Sequence, residues 1–359
     1  MSRLSLPLLC AALAAASCGN DQDNPFADFA QLEVIPPDAD LVFVSNLHAG
    51  PGTFREVFAL RIADGAVTRL TFCTEVGGPC DNLEAAPHRD RRRLASRRIT
   101  EDADQDGFLG PSDGVALVVS QLDAGFESPF TPPLVNVTGV DWLPAAEVIL
   151  YSGTDPTEGD DLFTVESTGL NTSNISNDPT AIERRARMEP AGRVAVFERV
   201  QALGPDSLPL QGPVRSEVWI FQSPAIQFRV TPGGPGDGAL PGTRVQIGSD
   251  SDPAFSPDNA QVVFRRLTAN TNGGRGSWDV LRADAGGLQQ IETVASGPEF
   301  RGAPDWGPAG IVFVEWDAAT GTKQLVLIRP DGTGRQTVLS VPANEELANP
   351  RWVPLPLSQ

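Results

Sequence analysis

A short unit recurs along this chain, and self-similarity at a near-fixed period constrains a fold more tightly than any local propensity. Its clearest copy is Ser251-Asp252-Pro253-Ala254-Phe255-Ser256-Pro257-Asp258-Asn259-Ala260-Gln261-Val262-Val263-Phe264. Pro253, Phe255 and Pro257 alternate along an extended segment. Asp258-Asn259 is a pair suited to a tight turn, because both side chains satisfy local backbone groups and tolerate left-handed backbone. Val262-Val263-Phe264 is a β-rich run. The unit reads as strand, turn, strand.

Pro304-Asp305-Trp306-Gly307-Pro308 before Ile311-Val312-Phe313 is nearly as clear a copy. Val140-Asp141-Trp142-Leu143-Pro144 leads into Val148-Ile149-Leu150-Tyr151, and Ala186-Arg187-Met188-Glu189-Pro190 into Val194-Ala195-Val196-Phe197. Pro87-His88-Arg89-Asp90 before Arg93-Leu94-Ala95 is the most degenerate copy, and Pro350-Arg351-Trp352-Val353-Pro354 stands at the end with no partner strand after it. The copies start at 87, 140, 186, 253, 304 and 350, so the gaps are 53, 46, 67, 51 and 46 residues. Four-stranded propeller blades repeat at roughly 40–50 residues, and the longer gaps require loop insertions.

The Pro-x-Phe-Ser-Pro-Asp-Asn core, the apolar run and a later strand with a closing turn resemble the TolB-type β-propeller repeat. Second halves of the repeat fit as well. Glu56-Val57-Phe58-Ala59-Leu60 continues through Asp64-Gly65 to Thr68-Arg69-Leu70-Thr71, and Gln324-Leu325-Val326-Leu327-Ile328 through Asp331-Gly332 to Gln336-Thr337-Val338-Leu339. The resemblance covers almost everything after about residue 40 and implies work in the cell envelope through protein contacts. It does not imply membership of the Tol complex, since such repeats occur in many proteins and no counterpart of the amino-terminal TolB domain is recognisable.

The two ends complement each other. Leu41-Val42-Phe43-Val44-Ser45 is a second strand without a first, and Pro350 to Pro354 is a first strand without a second. Joined, they complete a blade and close the ring, which removes exposed sheet edges. A straight solenoid would not predict this split. The expected fold is all-β, a six-bladed β-propeller of four-stranded antiparallel blades closed by pairing of the N- and C-terminal strands.

Residues 1–17 read as a signal peptide. Arg3 precedes the apolar stretch Leu4 to Ala16, and Ala15-Ala16-Ser17 precedes Cys18. This stretch is too short for a mature transmembrane helix. The small residues before Cys18 resemble a lipoprotein cleavage box, which makes Cys18 the lipidated first residue and 18–39 a polar tether; ordinary signal cleavage is the alternative. Residues 40–356 form the propeller, with blade 1 split between 40–72 and 349–356. The expected location is the envelope of a Gram-negative bacterium, lipid-anchored in the outer membrane or facing the periplasm.

Charge narrows the partners. The formal net charge is −19, Lys323 is the only lysine, and loss of Arg3 with the signal makes the mature chain −20. So acidic a surface disfavours nucleic acid and anionic headgroups. Membrane attachment then falls to the lipid, and the expected partners are envelope proteins engaging a monomeric propeller.

Two local features carry chemistry. Cys73 and Cys80 flank Gly77-Gly78-Pro79, which lets the chain turn back. In an oxidising compartment this is most simply a loop disulfide, with a redox switch as the alternative. Asp102, Asp104 and Asp106 occupy positions 1, 3 and 5 of a loop with Gly107 at 6 and Asp113 at 12. That is the pattern of a calcium loop, in which Phe108 offers its carbonyl and Leu109 anchors the turn. Aspartate replaces the usual glutamate at 12, and the flanks are strands, so the site is an EF-like loop in a β-hairpin with a structural role. An acidic solvated loop is the alternative.

Trp142, Met188, Phe255, Trp306 and Trp352 repeat once per blade and are expected to pack between blades. The residue before each, together with His88, gives His88, Asp141, Arg187, Asp305 and Arg351 as a mixed-charge set at the channel mouth, either a binding rim or an internally paired group. No nucleophile elbow or zincin motif is present, and the chain has two histidines. The reading is a non-enzymatic, calcium-stabilised interaction scaffold; a propeller lyase or hydrolase, or a glycan or small-ligand binder using the channel, is the alternative.

Overall fold

A computed structural model describes residues 34–355, except 48–53, 74–79, 106–108, 110–112, 131–135, 145, 156–158, 202–213, 235–237, 240–244, 288–289 and 318. Those residues form six four-stranded antiparallel sheets arranged as the blades of a propeller. Blade I pairs β1 (Leu41–Ser45), β2 (Glu56–Arg61) and β3 (Ala66–Arg69) with β24 (Leu347–Trp352). Blade II holds β4 (Asp81–Pro87), β5 (Arg93–Ile99), β6 (Ala116–Gln121) and β7 (Phe126–Phe130). Blade III holds β8 (Val137–Trp142), β9 (Val148–Asp155), β10 (Gly159–Glu166) and β11 (Ser173–Asn174). Blade IV comprises β12 (Ala181–Met188), β13 (Ala195–Gln201), β14 (Ser216–Ser223) and β15 (Ile226–Arg229). Blade V comprises β16 (Asp250–Phe255), β17 (Gln261–Ala269), β18 (Ser277–Asp284) and β19 (Ile291–Ala295). Blade VI comprises β20 (Phe300–Gly307), β21 (Gly310–Trp316), β22 (Lys323–Ile328) and β23 (Gln336–Val341).

The expected closure is present: β24 pairs antiparallel with β1, placing Leu41 opposite Trp352 and Ser45 opposite Leu347. The sequence logic of the core is period two. Alternate side chains of a strand face opposite sides of its sheet, and each blade lies between two others. Val262 and Phe264 therefore pack toward blade IV, while Val263 between them packs toward blade VI. This is why the second strands read as unbroken apolar runs rather than alternating ones. Among the described residues, six of the seven buried clusters lie one between each pair of adjacent blades. Outer strands carry the polarity instead: β15 and β23 are largely exposed, whereas β1 and β16 are buried throughout.

The per-blade residues Trp142, Met188, Phe255, Trp306 and Trp352 each join one of these inter-blade clusters. The fit is close at Gly307, where a Cβ would lie 2.3 Å from the Trp352 ring. A hydroxyl device recurs where the blades end. Thr71, Ser176 and Thr231 accept the backbone N–H of Val57, Leu162 and Val218, and their hydroxyls donate to Glu56, Asp161 and Asp250. Each closes the outer end of a blade with buried, fully used polar atoms. The Cys73–Cys80 disulfide is formed. Among the described residues no helix is long and apolar enough to cross a membrane.

Candidate functional site

The innermost strand of every blade carries a break in register: β4, β8, β12, β16, β20 and β24 each shift against their partner once. Such bulges add a residue, increase the twist and re-aim side chains. In four blades the displaced residue has left-handed backbone without being glycine: Arg185, Asp252, Ala303 and Asn349, with φ between 42° and 55°. Each stands three residues before the inter-blade aromatic or Met188. The equivalent in blade III is Gly139, where a Cβ would come within 2.5 Å of the Arg185 Cα, so the approach of blade IV dictates glycine.

The bulges turn charged side chains together. Glu84 Oε1 lies 2.9 Å from Arg187 Nη2 and 3.1 Å from Arg351 Nη1, and its other oxygen lies 3.1 Å from Arg97. Arg351 also pairs with Asp141 at 2.9 Å. Arg185 bonds Asp252 and approaches Glu198 at 3.5 Å, and Arg265 pairs with Asp252. These contacts join blades I to V, and the 3.9 Å approach of Arg351 to Asp305 brings in blade VI. Asp252 is buried, which alone would raise its pKa, but Arg185 and Arg265 hold it well below the ordinary carboxylate range. Asp141 and Asp305 go the other way. Burial, offset only in part by Arg187, pushes both up to about 6.

Asp141 and Asp305 also perform the same structural task. Asp141 accepts the N–H of Met188 in the next blade (2.9 Å), and Asp305 accepts the N–H of Trp352 in the next blade (2.7 Å). His88 packs edge-on against Trp142 with centroids 4.7 Å apart, and its Nδ1 lies 3.0 Å from Asp90. Its burial lowers its pKa, against the opposing pull of Asp90.

Above this network lies a cavity of about 310 Å³. All five residues expected at the mouth, His88, Asp141, Arg187, Asp305 and Arg351, line it. They form a largely buried, paired floor rather than a solvated rim: Arg187 and Arg351 are 6% and 5% exposed. Its collar is apolar. Pro144, Pro190, Pro257, Pro308 and Pro354, each two residues after the inter-blade aromatic or Met188, line it together with the edges of those side chains. Proline has no N–H to offer, so the collar favours apolar contact. Leu355 at its edge is 70% exposed. Sequence reasoning missed Glu84, Arg97, Arg185, Asp252 and Arg265. The arginine pairs within second strands, Arg97-Arg98 and Arg265-Arg266, were the available signal, because a buried charge requires a partner.

The acidic loop lies between β5 and β6. One carboxylate oxygen from each of Asp102, Asp104 and Asp113 falls within 4.8 Å of the others. Asp113 is buried, accepts the N–H of Ala103 at 2.9 Å, and so holds the two ends of the loop together. Leu109 packs against the cluster between blades II and III. Asp106 and Phe108 lie outside the described residues, as does Cys18.

No family model and no curated protein matches the chain. Solved structures share its fold at low identity. A TolB from Acinetobacter baumannii aligns with TM-score 0.62 and 15% identity, over 91% of this chain and 70% of the other. A structure described as TolB from Agrobacterium tumefaciens aligns with TM-score 0.54 and 14% identity, over 88% and 99%. An oligogalacturonate lyase in complex with manganese aligns with TM-score 0.50 and 12% identity, over 85% and 74%. The same architecture therefore serves different functions, and the chain is, by fold, a TolB-like six-bladed β-propeller.

Proposed function

We propose that the chain is a non-enzymatic binding module of the cell envelope that captures a partner at the apolar collar of its channel mouth. One observation carries this reading: a proline and aromatic collar stands over a floor whose charges are committed to one another. A site prepared for apolar contact on a rigid base is suited to recognition, and the fold alone does not supply the function. The likeness to TolB supports an envelope location, and lipidation at Cys18 is the proposed means of attachment. Asp102, Asp104, Asp106, Asp113 and the Phe108 carbonyl are proposed to hold a structural calcium that fixes the β5–β6 hairpin.

Enzymatic action on a carbohydrate or lactone is the second reading, favoured by the raised Asp141 and Asp305 and by the lyase likeness. Against it, these carboxylates accept backbone N–H groups from Trp142, Met188 and Trp352, which suits positioning better than proton transfer. In-cell crosslinking followed by affinity purification and mass spectrometry tests the proposal. A dominant envelope protein that is lost on Phe255→Asp supports capture at the collar. Turnover of a uronide or lactone panel, abolished by Asp141→Asn, would replace it with the enzymatic reading.

A further inference from the structure

Unsatisfied polar atoms at the cavity are of one kind. Arg187 Nη1, Trp352 Nε1 and Arg89 Nε are buried without a hydrogen-bond partner, and all three residues line the cavity. All three atoms are donors. The buried acceptors without partners among the described residues, such as Glu183 Oε2 and Asn259 Oδ1, belong to residues that do not line it. The shortfall at Trp352 is particular to its blade: Trp142, at the same repeat position, donates its Nε1–H to the Ala86 carbonyl at 3.0 Å. Buried donors left unpaired are costly, and a native structure keeps few of them without reason.

The carboxylates lining the cavity direct hydrogen bonds elsewhere. Both Asp141 oxygens take backbone N–H groups, from Trp142 and Met188, while Asp305 takes that of Trp352. Glu189 accepts from Arg193. The missing component is an acceptor, and Arg187, paired through Nη2 with Glu84, keeps its Nη1 donor for one. A planar carboxylate matches a guanidinium fork. The collar of proline and aromatic side chains asks that this carboxylate be attached to an apolar body. The strongly acidic chain disfavours ligands of higher negative charge.

We propose that the cavity floor is a subsite for the carboxylate of an apolar monoacid, held by Arg187 and Trp352. This rests on the reading of the mouth as a capture site and names the group captured. The carboxylate could be a free organic acid or the C-terminus of a peptide, and the two sources are separable. Calorimetric titration of the full mature chain with 3-phenylpropionate and its amide, and with a tetrapeptide ending in phenylalanine as free acid and as amide, tests the subsite. Both acids are expected to bind, each about tenfold or more tighter than its amide, as the loss of a charge-assisted hydrogen bond requires. A peptide acid tighter than 3-phenylpropionate identifies a chain terminus as the ligand; equal or weaker peptide binding identifies the free acid. Trp352→Phe keeps a ring and removes one donor, and is expected to weaken the acids and leave the amides unchanged. The comparison on the unaltered protein stands even if that variant folds poorly. Equal binding of acids and amides, or no heat from either acid at millimolar concentration, overturns the subsite. If a collar-dependent partner is nevertheless crosslinked, the capture reading survives without it.

Discussion

Glu84 of blade II and Arg187 of blade IV meet at 2.9 Å, although the whole of blade III separates them along the chain. Arg351 of blade I shares the same Glu84 oxygen, and Arg97 takes the other. One carboxylate thus ties blades I, II and IV at the centre of the ring.

Glu84→Gln therefore leaves three largely buried guanidinium groups without their shared anion. Removing one partner of a buried ion pair costs about 3–5 kcal/mol, and chemical denaturation should show a loss of that order. Arg61→Ala, which removes only exposed pairs to Asp38 and Asp64, is the control and should leave the midpoint almost unchanged. Equal effects of the two substitutions would show that the central network does not hold the ring.

The raised carboxyls give a pH dependence with a definite sign. An unfolded aspartate titrates near 3.9, whereas Asp141 in the fold is pushed up to about 6. Its contribution to stability is full below about pH 4 and is lost as pH rises through about 6. Asp141→Asn removes that dependence while keeping an acceptor for Met188. Relative to the unaltered protein, the variant should gain stability between pH 4 and pH 7.5, by on the order of 1–3 kcal/mol. Denaturation midpoints across this range check it; a constant difference between the two proteins would contradict it.

Calcium should raise the melting temperature, and Asp104→Ala should abolish the rise. Affinity of roughly 0.1–1 mM is expected for a site of extracellular type. Identical melts in calcium and in chelator would reduce Asp102, Asp104 and Asp113 to an acidic hairpin loop.

Much of this was legible in the sequence, for a physical reason. Blades repeat, so Phe255, Trp306 and Trp352 announce their places by period, and the complementary ends announced the closure between β1 and β24. Period two also explains why Val262, Val263 and Phe264 are all apolar. The central network was legible only in part. The residue before each aromatic was recognisable, hence Asp141, Arg187, Asp305 and Arg351. Glu84 stands three residues before the most degenerate copy, and Arg185 and Asp252 reach their partners through bulges that no local pattern encodes. Contacts between non-adjacent blades depend on ring geometry, to which a repeat period is blind. The Leu70-Thr71, Ile175-Ser176 and Val230-Thr231 pairs, by contrast, were present as a weak second repeat in the chain.

Palmitate labelling in cells should follow the unaltered protein and vanish in Cys18→Ala. Label retained by the variant would contradict attachment through that residue.

The most direct test of capture at the channel mouth is site-specific photo-crosslinking in cells. A photoreactive residue at Leu355, exposed beside the collar, is compared with one at Gln336, exposed on the outer strand of blade VI. Capture at the mouth predicts a discrete crosslinked envelope protein from position 355 and none from 336. The same product from both positions, or a product from 336 alone, would contradict it.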